Sequence, residues 1–93
     1  MKITLTASFE RDVRKLDGKG RELVCDVLLK LPKVLGSPHL HTGAGIRKIH
    51  STGIFEARIG LGLRMVFALG KNEIVLHRLG DHESIRKYLK SLS

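Results

Sequence analysis

The chain has 93 residues, of which 17 are Lys or Arg and nine are Asp or Glu, so its formal net charge is +8. This length allows one domain and no second hydrophobic core. The single cysteine, Cys25, excludes an internal disulfide framework, and its apolar helical surroundings predict a buried thiol. Because no segment has the apolar length of a secretion signal or a membrane span, we expect a cytoplasmic protein that does not contact a membrane.

The excess of positive charge predicts a polyanionic partner, and nucleic acid is the first candidate. A basic surface that only confers solubility is the alternative, because net charge discriminates poorly between the two. Aromatic residues make up 4% of the chain, which argues against a single-strand binder that stacks bases on aromatic side chains. Any bound RNA would therefore be held mainly by cations.

The N-terminal part predicts one strand and two helices. The segment KITLT alternates and is rich in β-branched residues, which favours a strand. Ser8 is a candidate N-cap for a short helix with Phe9, Val13 and Leu16 at helical spacing. A longer helix follows the breaker DGKG, forms an antiparallel hairpin with the first, and should end at Pro32. Its apolar stripe consists of Leu23, Val24, Val27, Leu28 and Leu31.

The chain from Pro32 to Gly45 is interpreted as a surface loop, after which the apolar period becomes two. Four segments predict strands, and their separators are short enough for hairpins. The segments are IRKIH, GIFEARIG, LRMVFALG and EIVLHRLG. Asp81 is a candidate N-cap for a last helix. The expected fold is α+β, with an N-terminal strand and an α-helical hairpin packed on one face of an antiparallel β-sheet meander, and a short C-terminal helix.

Alternation along the strands predicts which side chains face the helices. The inward set is Phe55, Ala57, Ile59, Leu63, Met65, Phe67, Leu69, Val75, His77 and Leu79. The same alternation places Arg58, Arg64 and Arg78 on the opposite face, which no predicted helix covers. Three guanidinium groups on one open face would bind phosphate. A solvated polar face on which Glu56 pairs with an arginine is the alternative, and strand parity does not decide between them.

The order of elements and two motifs resemble the RelE/ParE superfamily of toxins from bacterial and archaeal toxin–antitoxin systems. The segment FEARIGLGLRMVFAL is similar to the family's basic strand, glycine hairpin, and arginine before an apolar strand. The segment VLHRLGDHESIRKYL is similar to the family's closing strand, glycine, basic residue and trailing tyrosine, and LPKVLGSPHLHTGAGIRKI fits the stretch after the helical hairpin. The resemblance covers nearly the whole chain and implies a single toxin domain over residues 1–93.

In ribosome-dependent members such as RelE and YafQ, the resemblance implies an mRNA endoribonuclease that works in the A site of the 30S subunit and inhibits translation. It implies neither a metal nor another cofactor. The RNA 2′-hydroxyl attacks the adjacent phosphate and leaves a 2′,3′-cyclic phosphate and a free 5′-hydroxyl. The implied partners are mRNA, the ribosome and a cognate antitoxin, with a toxin–antitoxin heterotetramer as one arrangement.

The resemblance also implies roles for residues matched by position. Arg64 would hold the scissile phosphate, and Arg58 is a basic position on the preceding strand. His82 falls where YafQ has a histidine, the natural proton carrier near neutral pH, and Tyr88 follows at the spacing of RelE's terminal tyrosine. Glu56 departs from the pattern, because RelE carries a lysine there. The catalytic candidates are His82, Arg64, Arg58 and Tyr88, and the RNA-binding candidates are Arg78, Arg47 and Lys48.

Other interpretations stay open. A ParE-like protein would inhibit DNA gyrase without cutting RNA, and an inactive toxin-fold protein would only bind an antitoxin, which Glu56 favours. His82 can also be an exposed helix-start residue, and Tyr88 can simply pack the C-terminal helix. The chain has no CxxC or HxxxH ligand pair, so no metal site is expected. The scattered candidate ligands are Cys25, His39, His41 and His50.

Overall fold

A computed structural model describes residues 1–37, 45–50 and 53–92. Five strands form one sheet in the order β1-β5-β4-β3-β2. Strands β2 to β5 are an antiparallel meander, and β1 pairs in parallel with β5, so the sheet is mixed. The α+β class and the predicted elements are confirmed. The elements are β1 (Lys2–Leu5), α1 (Ala7–Arg14), α2 (Gly18–Leu35), β2 (Ile46–His50), β3 (Ile54–Ile59), β4 (Leu63–Gly70), β5 (Glu73–Gly80) and α3 (His82–Ser91).

A side chain caps the start of each helix in the described part of the chain. The Thr6 hydroxyl accepts a hydrogen bond from the Phe9 amide, so Thr6 is the N-cap of α1. The prediction of Ser8 was wrong, because Ser8 already lies inside the helix. Asp17 and Asp81 cap α2 and α3 through their carboxylates, and the prediction for Asp81 is confirmed.

Helix α2 continues beyond Pro32, where the sequence predicted its end. A proline inside a helix removes one hydrogen bond, here the one to the Leu28 carbonyl. Leu31 and Leu35 are nevertheless buried in the core, at 1% and 8% exposure. We infer that burial of this last turn outweighs the lost bond. Residues 32–35 of the predicted loop are therefore helical, and residues 38–44 lie outside the described part of the chain.

The predicted apolar stripe of α2 is only partly correct. Val24 and Leu31 are buried and pack in the core, whereas Leu23 is 40% exposed. The prediction of a buried thiol was wrong, because Cys25 is exposed. Cys25 follows Val24 by one residue, a rotation of about 100° that carries its side chain off the packed face.

Helices α1 and α2 cover one face of the sheet, here called the core face. Helix α1 contacts β5, and α2 contacts β3. The prediction of which side chains face the helices is confirmed for β3 and β4. Four of them are at most 1% exposed: Ala57, Ile59, Met65 and Phe67. The core cluster comprises Phe9, Val24, Leu31, Leu35, Ile46, Ala57, Ile59, Met65, Phe67, Ile74, Leu76 and Leu79.

For half of β5, the prediction of which side chains face the helices was wrong. Ile74 and Leu76 are fully buried in the core, although alternation had placed both outward. Arg78 lies opposite Val66, whereas Leu76 lies opposite the next residue of β4, so His77 is an extra residue in the ladder. This β-bulge reverses the phase of the strand, which is why Leu76 and Leu79 both face the core.

The opposite face of the sheet carries the predicted arginines and is here called the arginine face. It is defined by Arg47, Glu56, Arg58, Arg64 and Val66, which follow one parity along β2, β3 and β4. The expectation that no helix covers it was wrong. Helix α3 packs on β4 and β5 through the buried Ile85, and Val66 is 0% exposed.

Within residues 1–37, 45–50 and 53–92, no helix is long and apolar enough to cross a membrane.

Candidate anion-binding site

The β3–β4 hairpin places two arginines side by side on the arginine face. Arg58 and Arg64 are directly opposite each other in the antiparallel register. They border a cavity of about 420 Å³, here called the anion cavity. Its lining residues are Gly45, Ile46, Arg47, Glu56, Arg58, Arg64 and His82. Two neighbouring strands, the edge strand and the start of α3 thus converge on one site.

Glu56 lies at the base of this cavity and binds two arginines. Its Oε1 atom is 2.7 Å from Arg64 Nη1 and 3.7 Å from Arg47 Nη2. The Glu56 side chain is 5% exposed, so its carboxylate needs a cationic partner to offset the cost of desolvation. The pairing of Glu56 with an arginine, one of the two interpretations of the strand pattern, is therefore present. This ion pair orients Arg64, which still lines the anion cavity.

Arg58 is placed by a close approach of the backbone. The Arg58 amide donates a hydrogen bond of 3.2 Å to the Gly45 carbonyl. Gly45 has a φ of 72°, and a Cβ atom there would lie 3.3 Å from both Cβ and Nε of Arg58. Only glycine takes this conformation without strain and leaves room for the arginine. Among the described residues, no side chain forms an ion pair with Arg58.

His82 enters the cavity as the first residue of α3. The carboxylate of Asp81 accepts a 2.8 Å hydrogen bond from the Ser84 amide and thereby fixes the helix start. This hydrogen bond lowers the pKa of Asp81, so the cap remains charged at neutral pH. His82 itself is exposed and lines the anion cavity beside Glu56 and the arginines.

Two predicted site residues, Arg78 and Tyr88, lie away from the anion cavity. Arg78 donates two hydrogen bonds to Asp12, of 2.9 and 3.3 Å, and this pairing raises the pKa of the guanidinium. Its guanidinium carbon is 5.5 Å from the centre of the Tyr88 ring, a cation–π contact. Asp12 also accepts a hydrogen bond from the Leu79 amide. Arg78 and Tyr88 thus join α1, β5 and α3, and neither lines the anion cavity.

Lys48 also lies apart from the other candidates. It is opposite Phe55 in the ladder, and Phe55 packs against the core. Lys48 therefore follows the parity of the core face and does not line the anion cavity. Its neighbour Arg47, opposite Glu56, does line it.

A second cavity adjoins the first between α3 and the edge of the sheet, and is here called the α3 cavity. Its volume is about 450 Å³, and it shares Arg47, Glu56 and His82 with the anion cavity. Its other lining residues are Ile49, Arg86, Leu89 and Lys90. Sequence reasoning missed Arg86 and Lys90. A signal was present, because both follow His82 at steps of four residues, the spacing of one helix face.

The described residues contain no group of three His, Cys, Asp or Glu side chains able to hold a metal ion. His39 and His41, two of the scattered candidate ligands, lie outside the described residues. The chemistry available in the described cavity is therefore that of guanidinium, imidazole and carboxylate groups. Three arginines and one glutamate give it a formal excess of positive charge, which favours an anion such as a phosphodiester.

No protein-family model matches the chain, and no curated protein matches it. Solved structures match over most of its length. A chain of the RelB–RelE antitoxin–toxin complex from Methanococcus jannaschii matches at a TM-score of 0.65 and 19% identity, over 91% of this chain and 96% of that one. A copper-bound mutant toxin from Helicobacter pylori matches at 0.70 and 23%, over 91% and 98%. YafQ from Escherichia coli matches at 0.61 and 16%, over 90% and 96%. Likeness at these identities concerns the fold.

Proposed function

Since the chain has the fold of the RelE/ParE toxins, we propose that it is the toxin of a toxin–antitoxin system and cleaves mRNA at the ribosome without a metal. One observation carries the proposal. Arg47, Arg58, Arg64 and His82 come from separate segments and line a single cavity. This arrangement supplies charge for a phosphate and a group that exchanges protons near neutral pH.

The proposed reaction uses the 2′-hydroxyl of the RNA as the nucleophile. The 2′-oxygen loses its proton and forms a bond to phosphorus, the bond from phosphorus to the 5′-oxygen breaks, and that oxygen receives a proton. The products are a 2′,3′-cyclic phosphate and a 5′-hydroxyl. Arg58 and Arg64 would stabilise the additional negative charge on the phosphorane, where fixed cations are most effective.

Two groups of the cavity can carry protons, and we assign them different tasks. His82 is exposed at the rim, so its imidazole can reach the substrate and exchange its proton with water. Glu56 is buried and bonded to Arg64. We therefore assign proton transfer to His82 and the positioning of Arg64 to Glu56. A guanidinium has five N–H donors, so an Arg64 that donates to Glu56 retains others for phosphate oxygens.

The proposed partners are a cognate antitoxin, mRNA and the ribosomal A site. Support for an antitoxin comes from structural neighbours that were solved as complexes, RelB–RelE and DinJ–YafQ. The positive charge of the chain also suits an acidic or amphipathic antitoxin segment. The ribosome enters the proposal through the resemblance to RelE and YafQ.

The test compares the wild-type protein with His82→Ala and Arg64→Ala on ribosomes programmed with a defined mRNA. We expect new 5′ ends within codons and a 2′,3′-cyclic phosphate on the upstream fragment. Each substitution should lower the cleavage rate by about 10²–10⁴-fold, the range for loss of an acid–base group or of a charge-stabilising donor. Arg14→Ala removes an exposed arginine of α1 and is the matched control.

A gyrase supercoiling assay with the same proteins tests the main alternative, a ParE-like inhibitor of DNA gyrase. Intact mRNA together with inhibited supercoiling would contradict the proposal and favour a ParE-like inhibitor. Intact mRNA with normal supercoiling would favour an inactive protein that only binds an antitoxin.

A further inference from the structure

We infer that the α3 cavity is a second nucleotide subsite, which holds the RNA segment next to the scissile phosphate. The inference rests on the proposed function and adds residues to it. Arg86 and Lys90 would contact a phosphate of the neighbouring nucleotide, and Ile49 and Leu89 would contact its ribose or base. None of these four residues lines the anion cavity.

The first argument is continuity. The two cavities share Arg47, Glu56 and His82, so they are adjacent compartments of one depression along α3. A polymer continues on both sides of any phosphate held between Arg58 and His82, and one side lies beyond His82. The α3 cavity adjoins that point.

The second argument is charge. Arg47, Arg86 and Lys90 are exposed and border the α3 cavity. In residues 1–37, 45–50 and 53–92, neither Arg86 nor Lys90 forms an ion pair. The acidic residue in the lining, Glu56, is already bonded to Arg64 and near Arg47. The cavity therefore offers cations to an incoming anion, and phosphate contacts of this type supply most of the sequence-independent affinity for nucleic acids.

The third argument is the spacing of the basic residues along α3 and the apolar wall of the α3 cavity. His82, Arg86 and Lys90 follow one another at four-residue steps and extend about 12 Å along the helix axis, at about 1.5 Å per residue. Ile49 and Leu89 are half-buried and line the same cavity. Its volume of about 450 Å³ lies within the usual range of about 300–1,000 Å³ for small-molecule sites. Cations at the rim and aliphatic side chains on the wall suit a nucleotide held without aromatic stacking.

The experiment measures binding of 2′-O-methyl RNA oligonucleotides of one to four nucleotides, which cannot be cleaved because the nucleophile is blocked. Each carries a terminal phosphate. The proteins are wild type, Arg86→Ala/Lys90→Ala, and a control, Lys71→Ala/Lys87→Ala, which removes two exposed lysines that line neither cavity. Circular dichroism verifies that each variant is folded.

For the wild type and the control, we expect affinity to increase from one to three nucleotides. Arg86→Ala/Lys90→Ala should bind the single nucleotide like the wild type but bind the trinucleotide about tenfold more weakly, as expected for two lost charge pairs. Equal affinities of this variant and the wild type for the trinucleotide would overturn the inference. An equal loss in the control would also overturn it, because the effect would then reflect net charge alone.

Two further outcomes distinguish this inference from the proposed function. If Arg58→Ala/Arg64→Ala abolishes binding of the single nucleotide and Arg86→Ala/Lys90→Ala has no effect at any length, the subsite is refuted and the proposed function stands. If the wild type binds no oligonucleotide, the subsite is refuted, and the cleavage assay on programmed ribosomes alone decides the proposed function. A glutamate-rich peptide is tested in parallel. Dependence of peptide binding, but not RNA binding, on Arg86 and Lys90 would assign the cavity to a protein partner instead.

Discussion

The carboxylate of Glu56 forms ion pairs with two arginines, Arg47 and Arg64, whose like charges would otherwise repel each other. By bonding Arg64 at 2.7 Å it lowers the positive charge of the anion cavity and also fixes a guanidinium in place. These two effects act in opposite directions on a nuclease. Lower charge weakens the binding of RNA, whereas a fixed arginine favours the geometry of the reaction.

Glu56→Gln separates the two effects. The amide oxygen can still accept a hydrogen bond from Arg64, but the negative charge is lost. We expect the Kd for a short uncleavable RNA to fall about fivefold, because one opposing charge has been removed, and the single-turnover cleavage rate to fall about tenfold, because Arg64 is held less firmly. Fluorescence anisotropy gives the Kd, and single-turnover cleavage gives the rate.

Glu22→Gln is the control, because it removes the same charge from the exposed surface of α2. An unchanged cleavage rate would contradict the positioning role of Glu56, and weaker RNA binding would contradict its effect on the charge of the anion cavity.

Strand parity predicted some site residues and not others, for physical reasons. Arg58 and Arg64 belong to a short, regular hairpin, so alternation alone placed them on the same face. Alternation also placed Arg78 correctly, opposite Val66 on the arginine face, but it could not show that the guanidinium pairs with Asp12, which is 66 residues away along the chain. The burial of Glu56 was also beyond the sequence pattern, which does not show that its carboxylate pairs with both Arg47 and Arg64.

At the level of elements, local patterns predicted each strand in the described part of the chain, and the turns on either side of β4 are short and contain glycine or asparagine. Gly60 and Asn72 both have positive φ, at 63° and 56°, in the two hairpin turns that flank β4. The end of α2 was mispredicted because tertiary burial of Leu35 outweighs the local effect of Pro32. The cover that α3 provides for Val66 was not predicted either, because local patterns do not specify which face a terminal helix packs against.

Helix α3 depends on the charged cap at Asp81, which gives its stability a defined pH dependence. The pKa of Asp81 is lowered from its ordinary value of 3.8, chiefly by the hydrogen bond from the Ser84 amide. A carboxylate with a lowered pKa in the folded state stabilises the fold above the unfolded-state pKa, and this contribution is lost as the pH falls through the folded-state pKa.

Asp81→Asn keeps a capping oxygen and removes the charge. We expect the variant to be less stable than the wild type at pH 7, with a difference that shrinks as the pH drops below 3.8. Urea denaturation between pH 7 and the acid limit of two-state unfolding measures this. A difference that stays constant over the whole range would show that the charge of Asp81 does not contribute.

For the whole molecule, the net charge of +8 leaves open whether RNA is held by one site or by the entire surface. The two cavities contain five Lys or Arg residues and one Glu, which gives a local excess of four positive charges. Binding of single strands weakens with salt by about 0.7 in log K per log salt for each phosphate neutralised. RNA held only in the two cavities and RNA held by the whole surface should therefore give different slopes in a plot of log K against log salt.

We expect the affinity for a four-nucleotide uncleavable RNA to fall with a slope of about −3 in a plot of log K against log salt, the value for four neutralised phosphates. Titrations at several salt concentrations measure it. Extending the RNA to twelve nucleotides should change the slope little if binding is confined to the two cavities. With the longer RNA, a slope approaching about −6 would instead indicate that all eight excess charges take part.

The bulge in β5 restricts how the length of the chain can vary there. With His77 as the extra residue, Leu76 and Leu79 both reach the core, and Arg78 reaches Asp12. Deleting His77 would remove the bulge and restore simple alternation, and Leu76 and Leu79 would then be two positions apart and still face the core. An insertion would shift the start of α3 and carry His82 with it. Between Leu76 and His82, we therefore expect homologous chains to lack the residue at position 77 more often than to carry an added one.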